Sequence, residues 1–230
     1  MAKIIWDNEE SVINNGIDHV AVYYYDKTAS KWKNPTPWNG VTAINVSYSG
    51  GDINTQYADN RKYIQIPGKE DMTFTVEAYT KPDGFEACDG SKTEYGVHVG
   101  QQTREPFAIV YRTKRHESSN GGAIETVLYE YTFMQGCKCK PAAKNYSTIQ
   151  DNPEAITYSF ECTPTPQKIT YDISTNITTT TKNKVPCIKM RIPNEKLTAF
   201  EEKLYKTDMT GWDDLQDFWD KVKTIYDSNP

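Results

Sequence analysis

The sequence predicts a mainly β protein, an antiparallel sandwich or barrel of the kind that closes on itself, with one or two C-terminal α-helices. Three observations carry this: segments of strict period-two alternation, turn residues between them, and a change to helical periodicity after Pro193.

Taken in order, Val41 to Tyr48 reads as a strand that stops at the turn signal Ser49-Gly50-Gly51-Asp52, and Tyr63 to Ile66 as a short second strand. Met72 to Ala78 places Met72, Phe74, Val76 and Ala78 on one face and Thr73, Thr75 and Glu77 on the other. One buried and one solvated face is the pattern of an antiparallel sheet. Pro82-Asp83-Gly84 marks a turn, followed by a short helical segment that carries Phe85 inward. Phe107 to Arg112 is a strand, and Val127, Tyr129, Tyr131 and Phe133 form the face of another beyond Ser119-Asn120-Gly121-Gly122. Ile156 to Thr163 alternates after Asp151-Asn152-Pro153, Lys168 to Ile173 follows, and the Thr-rich stretch Ser174 to Thr181 suits a strand or edge arm.

After Pro193, Asn194 is placed to cap a helix carrying Leu197, Phe200 and Leu204. A second helix is expected from Thr210-Gly211-Trp212-Asp213, with Trp212, Leu215, Trp219, Val222 and Tyr226 as its apolar stripe. The expected organisation is a β domain with an N-terminal arm over 1–193 and a helical extension over 194–230. That extension packs either on its own β core or on a neighbouring copy, where Trp212 and Trp219 would serve as anchors.

A chain of 230 residues buries enough core to fold without a disulfide or metal. Its net charge of −5 argues against a tight grip on nucleic acid. No apolar run approaches the roughly 18 residues of a membrane span, so no membrane insertion is expected. The N-terminus offers no secretory signal, and the five Cys have no framework spacing; synthesis and folding in a cytoplasm are expected. Sixteen Tyr against seven Phe suit half-buried strands and surfaces that meet partners.

Nothing in the pattern points to catalysis. His19, His98 and His116 are scattered, and no HExxH, GxSxG, Walker-type loop or GxGxxG is present. Cys137-Lys138-Cys139 lacks the second pair a zinc site needs, so both Cys are expected as small buried apolar groups on one side of a strand. Asp83 to Gly90 does not have EF-hand spacing. No catalytic, cofactor or metal residue is expected, and the chain reads as a non-enzyme.

Six segments in one order resemble the major tail tube protein of long, non-contractile-tailed bacteriophages, especially those of Gram-positive hosts. They are Pro37 to Asn45, Tyr57-Ala58-Asp59-Asn60-Arg61-Lys62-Tyr63, Glu77 to Phe85 with Cys88-Asp89-Gly90, Gly100-Gln101-Gln102 with Tyr111-Arg112-Thr113, Asn152 to Thr157, and Lys196 to Tyr205. The Cys137/Cys139 pair and the helix after Trp212 are not part of the resemblance.

The resemblance implies a sandwich-like subunit that forms hexameric rings stacked into a tube, in the virion tail and assembled in the host cytoplasm. The implied partners are further copies of the chain, a tape measure protein, and tail terminator and distal tail proteins; DNA passes through the lumen without specific binding. Expected interface residues are Tyr57, Asp59, Asn60 and Arg61 in one segment and Asp83, Phe85 and Asp89 in another. Trp6 in the N-terminal arm, with Trp212 and Trp219, completes the set. The alternatives are a tube subunit of an injection device or tail-like bacteriocin, a carbohydrate-binding β-sandwich, and a two-carboxylate glycosidase.

Overall fold

The structure is a computed structural model and describes residues 10–100, 103–119, 125–144, 157–173, 178–205 and 215–227. The first strands are β1 (Glu10–Asp26), β2 (Lys31–Trp32), β3 (Thr36–Pro37), β4 (Val41–Gly50), β5 (Ile53–Ala58), β6 (Arg61–Pro67) and β7 (Glu70–Ala78). A short helix, α1 (Glu86–Asp89), precedes β8 (Lys92–Glu94), β9 (Val97–Val99), β10 (Phe107–Ser119) and β11 (Glu125–Cys139). Then come β12 (Ala143–Lys144), β13 (Tyr158–Thr163), β14 (Gln167–Ile173), β15 (Thr178–Val185) and β16 (Cys187–Pro193). A 3-10 turn, Asn194–Lys196, leads into α2 (Leu197–Leu204), and α3 spans Leu215–Asp227.

The protein is mainly β, with a large antiparallel sheet and a few short helices that include the two at the C-terminus. Ten strands are hydrogen-bonded in the order β2-β1-β10-β11-β13-β7-β4, with β3 beside β1, β16 beside β11 and β12 beside β13.

The sheet folds over at β11. Residues Leu128 to Met134 of this strand pair with β16, whereas Lys138 and Cys139 pair with β13. Between them β11 carries one residue more than β10, because Phe107 faces Cys137 while Ile109 faces Met134. Gly136 sits in this bulge at φ +62, and a Cβ there would lie 2.9 Å from the Cβ of Thr165. The bend therefore needs glycine.

Folding at β11 produces three layers and two apolar clusters. On one face of β1, β10, β11 and β16, the residues Ala21, Tyr23, Val110, Tyr131, Phe133 and Met190 pack beneath Phe200 and Leu204 of α2 and Phe218 and Val222 of α3. The rings of Phe133 and Phe218 stack at 3.6 Å. On the other face, Val22, Phe107 and Ile109 meet Phe74 and Val76 of β7 and Phe160 of β13, with Trp38 and Phe85 between them. Covered on both sides, the segments Val20–Tyr23 and Phe107–Tyr111 are apolar at every position.

This burial explains what period-two reading misses. β1 reads as no strand in the sequence because its buried part does not alternate and its outer part is broken by register shifts on either side of Asp18. β7 has the buried face expected for it. Two helix details differ from expectation. Asn194 opens a 3-10 turn and supplies no side-chain cap; the first helical turn follows extended Pro193 directly. In α3 the fully buried position is Phe218, absent from the expected stripe, with Val222 one turn on and Trp219 only half-buried beside them. Trp212 and the expected cap at Thr210 lie outside the described residues, as do the side chains of Leu215 and Tyr226.

A charged network fixes α2 to the sheet. Arg112 of β10 is only 6% exposed, and its Nε and Nη2 donate to the two carboxylate oxygens of Asp18 at 2.6 and 2.8 Å. Its Nη1 donates to Glu201 of α2 at 2.5 Å, and the Tyr131 hydroxyl donates to the same carboxylate oxygen. Burial alone would raise the Asp18 pKa, but hydrogen bonds and charge from Arg112 and Lys114 hold its carboxyl well below the usual range. Burial, then the Glu201 carboxylate, pushes the Tyr131 hydroxyl far up, so it stays a donor.

Arg112→Met removes the main cation from two half-buried carboxylates, and the expected loss is about 3 kcal/mol in urea unfolding. Because Asp18 ionises below its ordinary value of 3.8, its stabilisation is complete above that pH and is lost as pH falls beneath it. Thermal melting followed down to about pH 2 is expected to show this decline, and Asp18→Asn to flatten it.

Candidate functional site

The most exposed apolar structure grows directly out of the core. β4 and β7 are paired from Val41/Ala78 to Gly50/Glu70, and β5 and β6 continue the same ribbon from Ile53/Pro67 to Ala58/Arg61. Ser49-Gly50-Gly51-Asp52 therefore does not reverse the chain, as the sequence suggests. It kinks a ribbon whose backbone bonds continue through Gly51 N–H to Lys69 O at 3.2 Å and Gly68 N–H to Asp52 O at 2.8 Å. At Gly50, φ is +82 and a Cβ would fall 2.1 Å from the Lys69 carbonyl oxygen, so no larger residue fits the kink.

Asp59 and Asn60 close the ribbon, both at positive φ (+52 and +57), which matches the right-handed twist of the flanking strands. The expected interface segment Tyr57–Arg61 is thus a hairpin tip, with Tyr57 72% exposed. Behind it, Ile53, Tyr63, Ile64 and Ile66 are also exposed. Ile53 lies opposite Pro67 and Ile66 opposite Asn54, so apolar side chains leave from both faces.

The other expected segment behaves differently. Phe85 has no exposed surface and packs against Trp38, Phe107 and Phe160, which bears out its expected inward placement and removes it from the interface set. Asp83 is exposed, and its carbonyl accepts from the Tyr24 hydroxyl at 2.9 Å. Asp89 accepts from the Ser91 N–H and lies 3.4 Å from the Lys81 ammonium. The neighbouring Glu86 accepts from the N–H and hydroxyl of Thr93, at 3.1 and 2.8 Å. The segment is a mount for the β8–β9 hairpin.

That second hairpin is one the sequence reading passed over. Tyr95 and Gly96 form its two-residue turn, at φ +50 and +80, and Tyr95 is 97% exposed with Val97 and Val99 exposed behind it. The signal was the Tyr95-Gly96 dipeptide before the alternation Val97-His98-Val99.

Two sheet edges complete the surface. Among the described residues the outer edges of β4 and β16 have no strand partner. Trp219 lines a cleft of about 300 Å³ beside β16, with Met190, Ile192 and Val222 as its floor. Trp6 lies outside the described residues. Among the described residues no group of three or more His, Cys, Asp and Glu is placed to hold a metal ion.

The sequence matches no family profile and no curated protein. Among solved structures it is similar to a chain of an extracellular contractile injection system, the PVC sheath–tube complex in its extended state. The match covers 72% of this chain and 88% of that one, at 14% identity and a TM-score of 0.31.

The hairpin's exposed apolar groups contribute little to the stability of the chain itself. Ile64→Ser with Ile66→Ser is expected to change unfolding free energy by less than about 1 kcal/mol, whereas Phe85→Ala costs about 3–5 kcal/mol; urea titration of the dissociated chain checks both.

Proposed function

We propose that this chain is the tube subunit of a long, non-contractile bacteriophage tail, closing into hexameric rings that stack around a tape measure protein. The observation that carries the reading is the ribbon ending at Asp59-Asn60, apolar on both faces and exposed along its length. A lone two-stranded ribbon is marginal in water, and an exposed apolar one invites association. Its tip is also the segment whose sequence resembles the tail tube family.

Unpartnered edges on β4 and β16 support the same reading, since a ring that joins edge to edge leaves none exposed to uncontrolled pairing. The work of such a subunit is physical. A ring of six carries about −30 in formal charge, and whatever part faces the lumen repels DNA so that it slides without adhering. At physiological salt the Debye length is about 8 Å, so lumen-facing groups dominate. Terminator and distal tail proteins would meet the two ends of the tube.

Negative-stain electron microscopy over a concentration series, with and without a tape measure fragment, tests this. Rings or tubes with a central hole and sixfold symmetry are expected, and Ile64→Ser with Ile66→Ser is expected to abolish them while leaving the chain folded. A monomer under every condition overturns the proposal and makes a glycan-binding screen the next experiment. Sixfold tubes encoded beside no capsid, portal or terminase genes would reassign the subunit to an injection device.

A further inference from the structure

Four of the five cysteines, scattered through the sequence, converge in the cluster between the sheet halves: Cys88 of α1, Cys137 and Cys139 of β11, and Cys162 of β13. All are free and buried. Their placement does not suit a metal, since no group of three among the described residues is arranged to hold one. One pair, however, has the geometry of a different chemistry.

We propose that Cys139 and Cys162 are a covalent modification site, a latent cross-strand disulfide that on oxidation staples the two halves of the sheet together. The pair is defined by register: Cys139 lies directly opposite Cys162, as Lys138 lies opposite Thr163. The next position along is Lys140 opposite Glu161, and there the Lys140 N–H donates to the Glu161 carbonyl at 2.8 Å. Antiparallel positions alternate between hydrogen-bonded pairs and closer, non-hydrogen-bonded pairs. Cys139/Cys162 is therefore of the close kind, with Cα atoms roughly 4.5 Å apart, inside the roughly 4.4–6.8 Å range of disulfides. Cys137 is two residues from Cys139 on the same strand and faces no cysteine across the ladder.

The location gives the bond its effect. Among the described residues β11 and β13 share a short ladder of two pairs, extended by the Lys140–Glu161 backbone bond, and it links the two halves of the folded sheet. A bond there closes a loop from residue 139 to 162 and fixes the seam covalently.

The oxidant class is a small-molecule disulfide. The Cys139 thiolate attacks one of its sulfurs and expels the other half as a thiol, leaving a mixed disulfide on Cys139. Cys162 then loses its proton to solvent, attacks the Cys139 sulfur and expels the second thiol. Two protein thiols give up two electrons and two protons, and one small disulfide becomes two thiols. The neighbouring Cys162 thiol holds the Cys139 pKa down, while burial pushes those of Cys137 and Cys162 up; in the closed structure the Cys139 thiol donates to the Cys88 carbonyl at 3.1 Å, a bond that opening releases. Both sulfurs are shielded, so attack proceeds through local opening of this short seam.

The test is incubation of the native full-length protein with oxidised glutathione, then thiol counting under denaturing conditions and peptide mapping without reduction. Titratable thiols are expected to fall from five to three, with the peptides of Cys139 and Cys162 linked. The melting midpoint is expected to rise by roughly 5–10 °C and to return on reduction. Cys88→Ala and Cys137→Ala are each expected to retain the two-thiol loss, and Cys162→Ala to abolish it. Five thiols persisting after prolonged oxidation, a linkage involving Cys88 or Cys137, or a linked protein that melts no higher would each overturn the proposal.

Discussion

β11 has two edges and three neighbouring strands to serve. One edge is given to β10, and the other is divided between β16 and β13. A straight strand cannot serve two sheet halves that face each other, so the chain must bend, and the bend must come between Met134 and Cys137. The extra residue does more than curve the strand. Before it, Tyr131 and Phe133 point toward the helices; after it, Cys137 and Cys139, at positions of the same parity, point into the space between the sheet halves. A single bulge thus inverts the facing of everything beyond it, and both clusters take their composition from that inversion.

Sequence reading succeeded where one face of a strand meets water. The alternation of β7 survives because Thr73, Thr75 and Glu77 lie on its more open side. It failed on β1, where Val20–Tyr23 is buried on both sides and leaves no polar residue to mark a face. It also failed to name β16, although Ile188, Met190 and Ile192 alternate there with Lys189 and Arg191. For the candidate site, the tip at Tyr57–Arg61 was found through resemblance, but the ribbon behind it was not. Gly50 and Gly51 look like a chain reversal in sequence, and only the pairing of Gly50 with Glu70 reveals a kink. For Phe85 two expectations compete, an inward helical position and a place at the interface; its ring fills a pocket lined by Trp38, Phe107 and Phe160, as the first requires.

The molecule divides its chemistry between an inert interior and an adhesive exterior. Among the described residues the buried guanidinium of Arg112, paired with Asp18 and Glu201, binds helix to sheet. Its least protected apolar groups stand on two hairpins, each closed by a two-residue turn and each rooted in a rigid base: β4 and β7 for one, α1 for the other. Rigid roots thus hold exposed apolar tips in a fixed orientation.

The kinked ribbon also limits how such a protein can diverge. Each half of its outer portion is about 20 Å long, at roughly 3.3 Å per residue. A residue inserted in one half flips only the side chains beyond it on that strand, and the ribbon already absorbs one such residue, because Gln56 faces Ile64 while Tyr57 faces Lys62. The arm can therefore change length by a pleat or by a bulge, while the glycine kink beneath it, closed to any Cβ, has to stay where it is.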